Sequence, residues 1–160
     1  MMKLVAFMLL TVGGCATYVT SESVYRLTSG VPNVCAVIVR ADANAPVVAG
    51  ACGESPSSSP LWTVRLSDTG RDYLISPIGN NNLCLSAGRT IGPPLPVFLE
   101  SCRSFDRVQR WQTTEDGHIV RVDNLRLTLP MKIGQSLSAT RDFNDTPAQR
   151  WFIALALPPA

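Results

Sequence analysis

The chain has little of what enzymes and metal sites need in a sequence. The 160-residue sequence has one histidine, His118, and no glycine-rich phosphate loop or nucleotide fingerprint. One histidine, beside cysteines that we expect to be oxidised, cannot complete a zinc ligand set and offers a single weak partner for a nucleophile. We expect His118 to be a solvent-exposed turn residue, with Glu115 and Asp116 in a hairpin turn rather than an acid–base pair. The sequence therefore predicts no enzyme, no cofactor and no metal site.

Long charged runs and helical periodicity are missing as well. Charged residues make up 16% of the chain, and the basic ones, mostly arginines, are scattered. Such a distribution predicts neither a nucleic-acid partner nor a polybasic membrane-binding surface. No segment after the N-terminus keeps a 3.6-residue apolar period long enough for a substantial helix. Short apolar stretches between Gly, Pro, Asn and Asp clusters instead predict an all-β fold.

The one pronounced apolar run lies at the N-terminus, over residues 4–12. It is far shorter than the roughly 20 residues that a membrane span needs. The run and the small residues after it predict a signal peptide over residues 1–16, which leaves a secreted single domain of residues 17–160. An alternative stays open, because residues 12–15 also resemble a bacterial lipobox. In that case the chain would be lipid-anchored through Cys15.

The chain repeats itself three times. Two segments close on the same triplet, Gln109-Arg110-Trp111 and Gln149-Arg150-Trp151, and a fainter copy closes at Trp62. The tryptophans lie 49 and then 40 residues apart, and the openings of the segments keep a similar rhythm. Self-similarity on such a period indicates one supersecondary unit used three times around a shared core. We place the repeats at about residues 23–66, 67–115 and 116–155.

The cysteines follow the repeat. Without Cys15 four remain, and although four cysteines allow three pairings, their equivalent places in the repeats select Cys35–Cys52 and Cys84–Cys102. An exported chain meets an oxidising compartment, where such bonds persist. Each loop of this length would contribute roughly 3 kcal/mol in the chain-entropy model.

The third repeat has Arg126 and Asp142 at the two cysteine positions. We expect an ion pair there, worth at most about 1 kcal/mol if solvated. Two independent surface charges are the alternative.

The threefold Gln-x-Trp repeat, the Cys-Leu opening at Cys84 and the Pro-Val-x-Leu-x-x-Cys segment ending at Cys102 resemble the ricin B-type lectin domain. The resemblance extends from about Ser23 to Leu155 and is greatest for secreted fungal members. It implies a β-trefoil, a closed barrel of three hairpin-rich units. It also implies that the tryptophans pack in the core and that the glutamines brace a loop beside the sugar pocket. The core tryptophans would be Trp62, Trp111 and Trp151. The lectin-like subunits of cytolethal distending toxins are a second set of relatives, and they would suit the lipobox.

Sugar binding in that family needs an Asp two residues after the first cysteine, an aromatic two residues before the second, and an Asn before the glutamine. A shallow site needs such pre-placed groups to offset the desolvation of sugar hydroxyls. These positions hold Val37, Ser86 and Thr128, then Gly50, Glu100 and Thr140, then Ser59, Val108 and Ala148. The resemblance therefore does not predict ordinary galactose binding in any repeat.

If a carbohydrate site survives, the second repeat is its expected place, with the third as a further candidate. The candidate residues are Ser86, Phe98, Glu100 and Gln109 in the second repeat, and Thr128, Thr140 and Gln149 in the third. We therefore expect a secreted lectin-like module with degenerate sugar pockets, and glycans or glycoproteins as its partners. The alternative is a protein-binding trefoil, such as a protease inhibitor or a toxin-delivery subunit, because a fold does not fix a function.

Overall fold

Short strands separated by tight turns make up almost all of the regular structure. The computed structural model describes residues 23–89 and 92–156, so the predicted signal peptide and Cys15 lie outside the described residues. The described chain has twelve strands. They are β1 (Val24–Ser29), β2 (Val34–Ile38), β3 (Val47–Ala51), β4 (Leu61–Leu66), β5 (Tyr73–Pro77), β6 (Leu83–Ala87), β7 (Leu95–Ser101), β8 (Trp111–Thr113), β9 (Ile119–Arg121), β10 (Leu125–Thr128), β11 (Ser138–Thr140) and β12 (Trp151–Leu155). Single 3-10 turns, Arg107–Gln109 and Pro147–Gln149, precede β8 and β12.

The strands fall into three sets of four in chain order, and the first and last strand of each set line a barrel. Antiparallel pairing joins β1 to β4, β4 to β5, β5 to β8, β8 to β9 and β12 back to β1. The remaining gap is bridged where Trp151 N donates to Gly117 O at 2.7 Å. The predicted all-β, threefold architecture is confirmed. In residues 23–89 and 92–156 no helix is long and apolar enough to cross a membrane.

Three hairpins, β2–β3, β6–β7 and β10–β11, sit together at one end of this barrel. They are joined in a ring by backbone hydrogen bonds. Leu99 N donates to Ala45 O at 2.9 Å, Val97 N to Leu137 O at 3.1 Å, and Leu137 N to Val47 O at 2.8 Å. Each repeat therefore completes its backbone hydrogen bonding only with its neighbours, as the sequence repeat predicts.

The core contains the three tryptophans, none of which is more than 2% exposed. Each is the first or second residue of the fourth strand of its repeat, and each indole N–H donates to the carbonyl of a residue in the second strand. The bonds run from Trp62 to Ala36 at 3.0 Å, from Trp111 to Leu85 at 2.9 Å, and from Trp151 to Leu127 at 2.8 Å. Because the same bond recurs three times, every hairpin is fixed to the barrel in the same way.

The two predicted disulfides, Cys35–Cys52 and Cys84–Cys102, are present. Each joins the two strands of a hairpin across a Cα–Cα distance of 5.0 Å, a normal span for a disulfide.

The ion pair expected between Arg126 and Asp142 is wrong. The Arg126 guanidinium lies 4.3 Å from the ring centroid of Phe143 in a cation–π contact. The guanidinium therefore contacts the residue that follows Asp142, and no salt bridge joins Arg126 to Asp142.

His118 also departs from expectation, because its side chain is 1% exposed rather than solvated. Nδ1 lies 2.8 Å from Gln149 O, and since a carbonyl only accepts, Nδ1 carries the proton. Nε2 lies 3.3 Å from a carboxylate oxygen of Asp116 and 3.5 Å from one of Asp145. The turn folds against the segment before β12, a contact 31 residues distant in sequence, and this contact buries the ring.

Replacing Trp111 by Ala is expected to lower the free energy of unfolding by ~3–5 kcal/mol, as large aromatic truncations in a packed core do. The loss includes the donor to Leu85 O. Urea denaturation measures the change. Phe152→Ala is the matched control, since that ring is 54% exposed, and it should cost less than about 1 kcal/mol. A Trp111→Ala variant as stable as the control would contradict the core placement.

The four cysteines of residues 17–160 are expected to give no free thiol. Titration of the denatured, unreduced protein after export measures this, and reduction should then release four thiols, two from each disulfide. Two or more thiols before reduction would contradict the pairing.

Candidate functional site

The hairpin register shows which positions are equivalent in the three repeats. Cys35 pairs with Gly50, Cys84 with Glu100, and Arg126 with Thr140. Two residues further along the second strands, Val37 pairs with Val48, Ser86 with Phe98, and Thr128 with Ser138. The three hairpins β2–β3, β6–β7 and β10–β11 therefore have the same register. This register places the same residues in equivalent positions as the alignment of the three sequence repeats does.

In the first repeat these positions are apolar and closely packed. Val37 is 2% exposed, and a Cβ placed on Gly50 would stand 2.6 Å from Cγ2 of Val37. Pro60 occupies the place of the glutamine. This surface supplies neither a carboxylate for sugar hydroxyls nor a ring for the apolar face of a sugar.

In the second repeat the predicted polar residues turn towards one another. The Ser86 hydroxyl donates to Glu100 Oε2 at 3.0 Å, and Gln109 Nε2 approaches the same oxygen at 3.3 Å. Ser86 and Gln109 are both 0% exposed, while Glu100 keeps 21% of its side chain exposed. Phe98 is half-buried on the same strand face as Glu100. Only Glu100 and Phe98 therefore keep surface that a ligand could touch.

Gln109 serves mainly as a brace. Its Nε2 donates to Ser101 O at 2.9 Å, and its Oε1 accepts from Arg103 N at 2.7 Å. These two bonds hold the end of β7 to the turn that precedes Trp111. The loop-bracing role implied by the family resemblance is what the geometry shows.

The third repeat has a similar internal network. The hydroxyls of Thr128 and Thr140 lie 2.8 Å apart. Gln149 Nε2 donates to Asp142 O at 2.5 Å and to the Thr140 hydroxyl at 3.3 Å. Gln149 is 4% exposed, and so this glutamine is also committed to its own loop.

An open cavity of about 650 Å³ lies beside the second-repeat network. The end of β6 supplies Gly88 and Arg89, and residues 105–108 form the side that leads to Gln109. The third repeat supplies Arg121, Asp123 and Arg141. The cavity includes Val108, which stands at the Asn position of the family pattern. The predicted site residues of the second repeat do not line it; these are Ser86, Phe98, Glu100 and Gln109.

Paired charges build the walls of this cavity. Arg89 donates to both carboxylate oxygens of Asp106, at 3.1 and 2.5 Å, and to Glu100 at 3.3 Å. The hydrogen bond from Arg89, aided by the Val108 N–H, lowers the pKa of Asp106 and outweighs the opposing effect of burial. Arg121, 5% exposed, binds both carboxylate oxygens of Asp123.

Sequence reasoning did not find this cavity, because the cavity spans two repeats while the family pattern is confined to one. The nearest signal in the sequence is the pair of short Arg/Asp motifs, Asp106-Arg107 and Arg121-Val122-Asp123. Their convergence depends on contacts such as Arg121 to Ala87 O, 34 residues apart in the chain.

Known structures share this architecture at low sequence identity. The chain superposes on a mosquitocidal holotoxin with a TM-score of 0.70 and 14% identity, covering 87% of this chain but only 18% of the toxin. For ThreeFoil, a designed threefold symmetric protein, the TM-score is 0.68, identity 15%, and coverage 82% of this chain and 97% of that one. The C-half of the earthworm R-type lectin was solved in complex with GalNAc. It superposes with a TM-score of 0.63 and 12% identity, covering 84% of this chain and 99% of that one.

These superpositions define the class: the protein is a β-trefoil, with the fold found in R-type lectins and in lectin-like domains of toxins. No protein-family model matches the chain, and neither does any curated protein sequence. The likeness at these identities concerns the fold.

Replacing Asp106 by Asn is expected to lower the free energy of unfolding at pH 7 by about 1–2 kcal/mol, because charge-assisted hydrogen bonds to Arg89 are lost. The folded-state pKa of Asp106 lies below its ordinary value, so this contribution is present above pH ~4 and disappears as the pH falls through the folded-state pKa. Urea denaturation of both proteins between about pH 2 and 7 measures the difference.

The control is Asp68→Asn, because the exposed Asp68 carboxylate forms no ion pair with the described residues. It should change stability by less than about 0.5 kcal/mol at every pH. A cost for Asp106→Asn that stayed constant down to pH ~2 would contradict the ion-pair origin of the effect.

Proposed function

We propose that this protein is an exported lectin-like binding module whose sugar sites have diverged from the galactose-binding pattern. The observation that carries the proposal is the cavity of about 650 Å³ beside the second-repeat network. Its size falls within the range of ordinary ligand pockets, which is roughly 300–1,000 Å³. It includes Val108, at the Asn position of the family pattern, and its lining includes an aromatic ring, Phe105, that is 74% exposed.

Carbohydrate recognition combines polar groups for hydroxyls with a ring for the apolar face of the sugar. Asp106 and Glu100 bring carboxylates to this part of the second repeat, although both are paired with Arg89. Phe105 supplies a ring that does not stand at the family's aromatic position. The earthworm R-type lectin C-half, whose fold this chain shares, was solved with GalNAc bound, which supports glycans as the ligand class.

We also propose that the protein is exported and that it binds a ligand rather than catalysing a reaction. The paired cysteines support an oxidising compartment outside the cytoplasm. His118, the sole histidine in the chain, is buried against Gln149 and does not line the cavity. We therefore give it no catalytic role. We place the protein outside the cell, with glycans or glycoproteins as partners.

A protein-binding role is the second candidate. The loop between β10 and β11 exposes Met131 completely and Ile133 by 63%. Exposed apolar side chains are a common feature of protein contacts, and one neighbour by fold is part of a mosquitocidal holotoxin. This candidate predicts that binding to a protein partner is lost on changing Met131 and Ile133 to Ser, while the cavity is intact.

A glycan array on the mature protein is the test of the proposed function. At least one glycan class should bind, and Phe105→Ala should weaken that binding by about fivefold, since a stacked ring contributes about 1 kcal/mol. Phe152→Ala is the matched control, because its ring is also more than half exposed but lies on β12 outside the cavity. An array on which nothing binds would refute the proposal.

Lactose is expected not to bind through the inherited positions with a Kd at or below about 1 mM, which corresponds to only about 4 kcal/mol. The physical reason is that Ser86 and Gln109 are buried and already bonded to Glu100. Isothermal titration calorimetry measures this. Saturable lactose binding in that range, lost on Glu100→Ala, would show that the ordinary site is still functional.

A further inference from the structure

The cavity is open to solvent, but hydrogen bonds between two repeats hold one of its walls in place. Arg121, on β9 of the third repeat, has 6% of its side chain exposed. Its guanidinium donates to Ala87 O at 3.1 Å and to Gly88 O at 3.3 Å, at the end of β6 in the second repeat. It also binds both oxygens of Asp123. A buried and fully bonded arginine therefore ties the two repeats together and sets one wall.

The charges of the lining do not cancel. Four arginines and two aspartates line the cavity. Asp106 is engaged by Arg89 and Asp123 by Arg121, each through both carboxylate oxygens. The other two guanidiniums, of Arg107 and Arg141, form no hydrogen bond or salt bridge with the described residues, although Arg107 lies near enough to Asp123 to interact with its charge. The difference, four minus two, leaves a formal charge of +2 in the lining. The adjacent Glu100 and Arg103 carry one charge of each sign, so counting them as well leaves the formal charge at +2.

This local charge equals the formal net charge of the whole molecule, which is also +2. The full chain has 14 Lys and Arg against 12 Asp and Glu, so the global charge gives little long-range attraction for anions. Guanidinium groups match the geometry of sulfate and carboxylate oxygens and can bind them in bidentate fashion. Beside them, Phe105 presents an exposed ring that could cover a sugar face.

We infer that this inter-repeat cavity binds an acidic saccharide, with its sulfate or carboxylate on Arg107 and Arg141 and a sugar ring against Phe105. The inference rests on the proposed function and assigns it a ligand class. Arg89, Asp106, Arg121 and Asp123 form the framework, because their charges are already paired. Arg141 belongs to the third repeat and Arg107 to the second. The ligand would therefore bind at the junction of two repeats rather than within one.

The test is calorimetric titration with four probes: 3′-sulfolactose, 3′-sialyllactose, lactose and sodium sulfate. At least one acidic lactose should bind at least about tenfold more tightly than lactose, with the affinity falling as salt is raised from about 50 to 200 mM. The two acidic probes separate sulfate from carboxylate recognition. Sodium sulfate should bind more weakly than the preferred acidic sugar, because it lacks the ring that Phe105 contacts.

The deciding variant is the double substitution Arg107→Gln with Arg141→Gln. It should remove the preference for the acidic sugar, a loss of about tenfold or more, without changing the thermal unfolding midpoint, because neither guanidinium is bonded within the described chain. Arg71→Gln is the matched control, since Arg71 is exposed and lies outside the cavity. It should alter affinity by less than about twofold.

Several results would overturn the inference. These are an unchanged preference in the double variant, no preference for either acidic sugar over lactose, or sodium sulfate binding as tightly as the sugars. If the array nevertheless shows neutral glycans bound with Phe105 dependence, the proposed function stands and only the acidic ligand class fails. If no glycan of any kind binds, the proposed function fails as well.

Discussion

The hydrogen bond from each tryptophan indole to a carbonyl of the second strand is the interaction on which the rest of the structure depends. It places the start of the fourth strand against the middle of the hairpin in all three repeats. The indole also fills the space between barrel and hairpin, where it is almost completely buried. A buried carbonyl without this donor would cost about 1–3 kcal/mol. The register of each hairpin, and with it the position of every candidate site residue, follows from this contact.

The same geometry explains why the positions that match the family's sugar-binding pattern are closed. In the second and third repeats, equivalent residues form equivalent networks: Ser86 with Glu100 and Gln109, and Thr128 with Thr140 and Gln149. In each network a hydroxyl, a residue on the facing strand and the loop glutamine are bonded to one another, although the buried Gln149 Oε1 has no hydrogen-bond partner within the described chain. The surface that we propose for recognition lies instead at the junction of two repeats, where the guanidiniums of Arg107 and Arg141 form no hydrogen bond or salt bridge with the described residues.

Sequence reasoning predicted what the repeat itself encodes. The threefold architecture, the tryptophans and the disulfides follow from phrases that recur within the chain, such as Gln109-Arg110-Trp111. It failed where a side chain's environment comes from distant segments. Arg121 is buried against a carbonyl 34 residues away, and His118 against one 31 residues away. Arg126 contacts the ring of Phe143 instead of pairing with Asp142, a choice of partner that the repeat pattern does not encode.

Hydrogen exchange of the three indole Nε1 protons, followed by NMR on the folded protein, tests this account most directly. Each proton is buried and bonded to a carbonyl of its own repeat, so all three should exchange slowly and with similar protection. Similar protection would mean that they open only when the three repeats open together. An indole proton that exchanged as fast as an exposed one would contradict the account, because the repeat that contains it would not be held to the barrel by this bond.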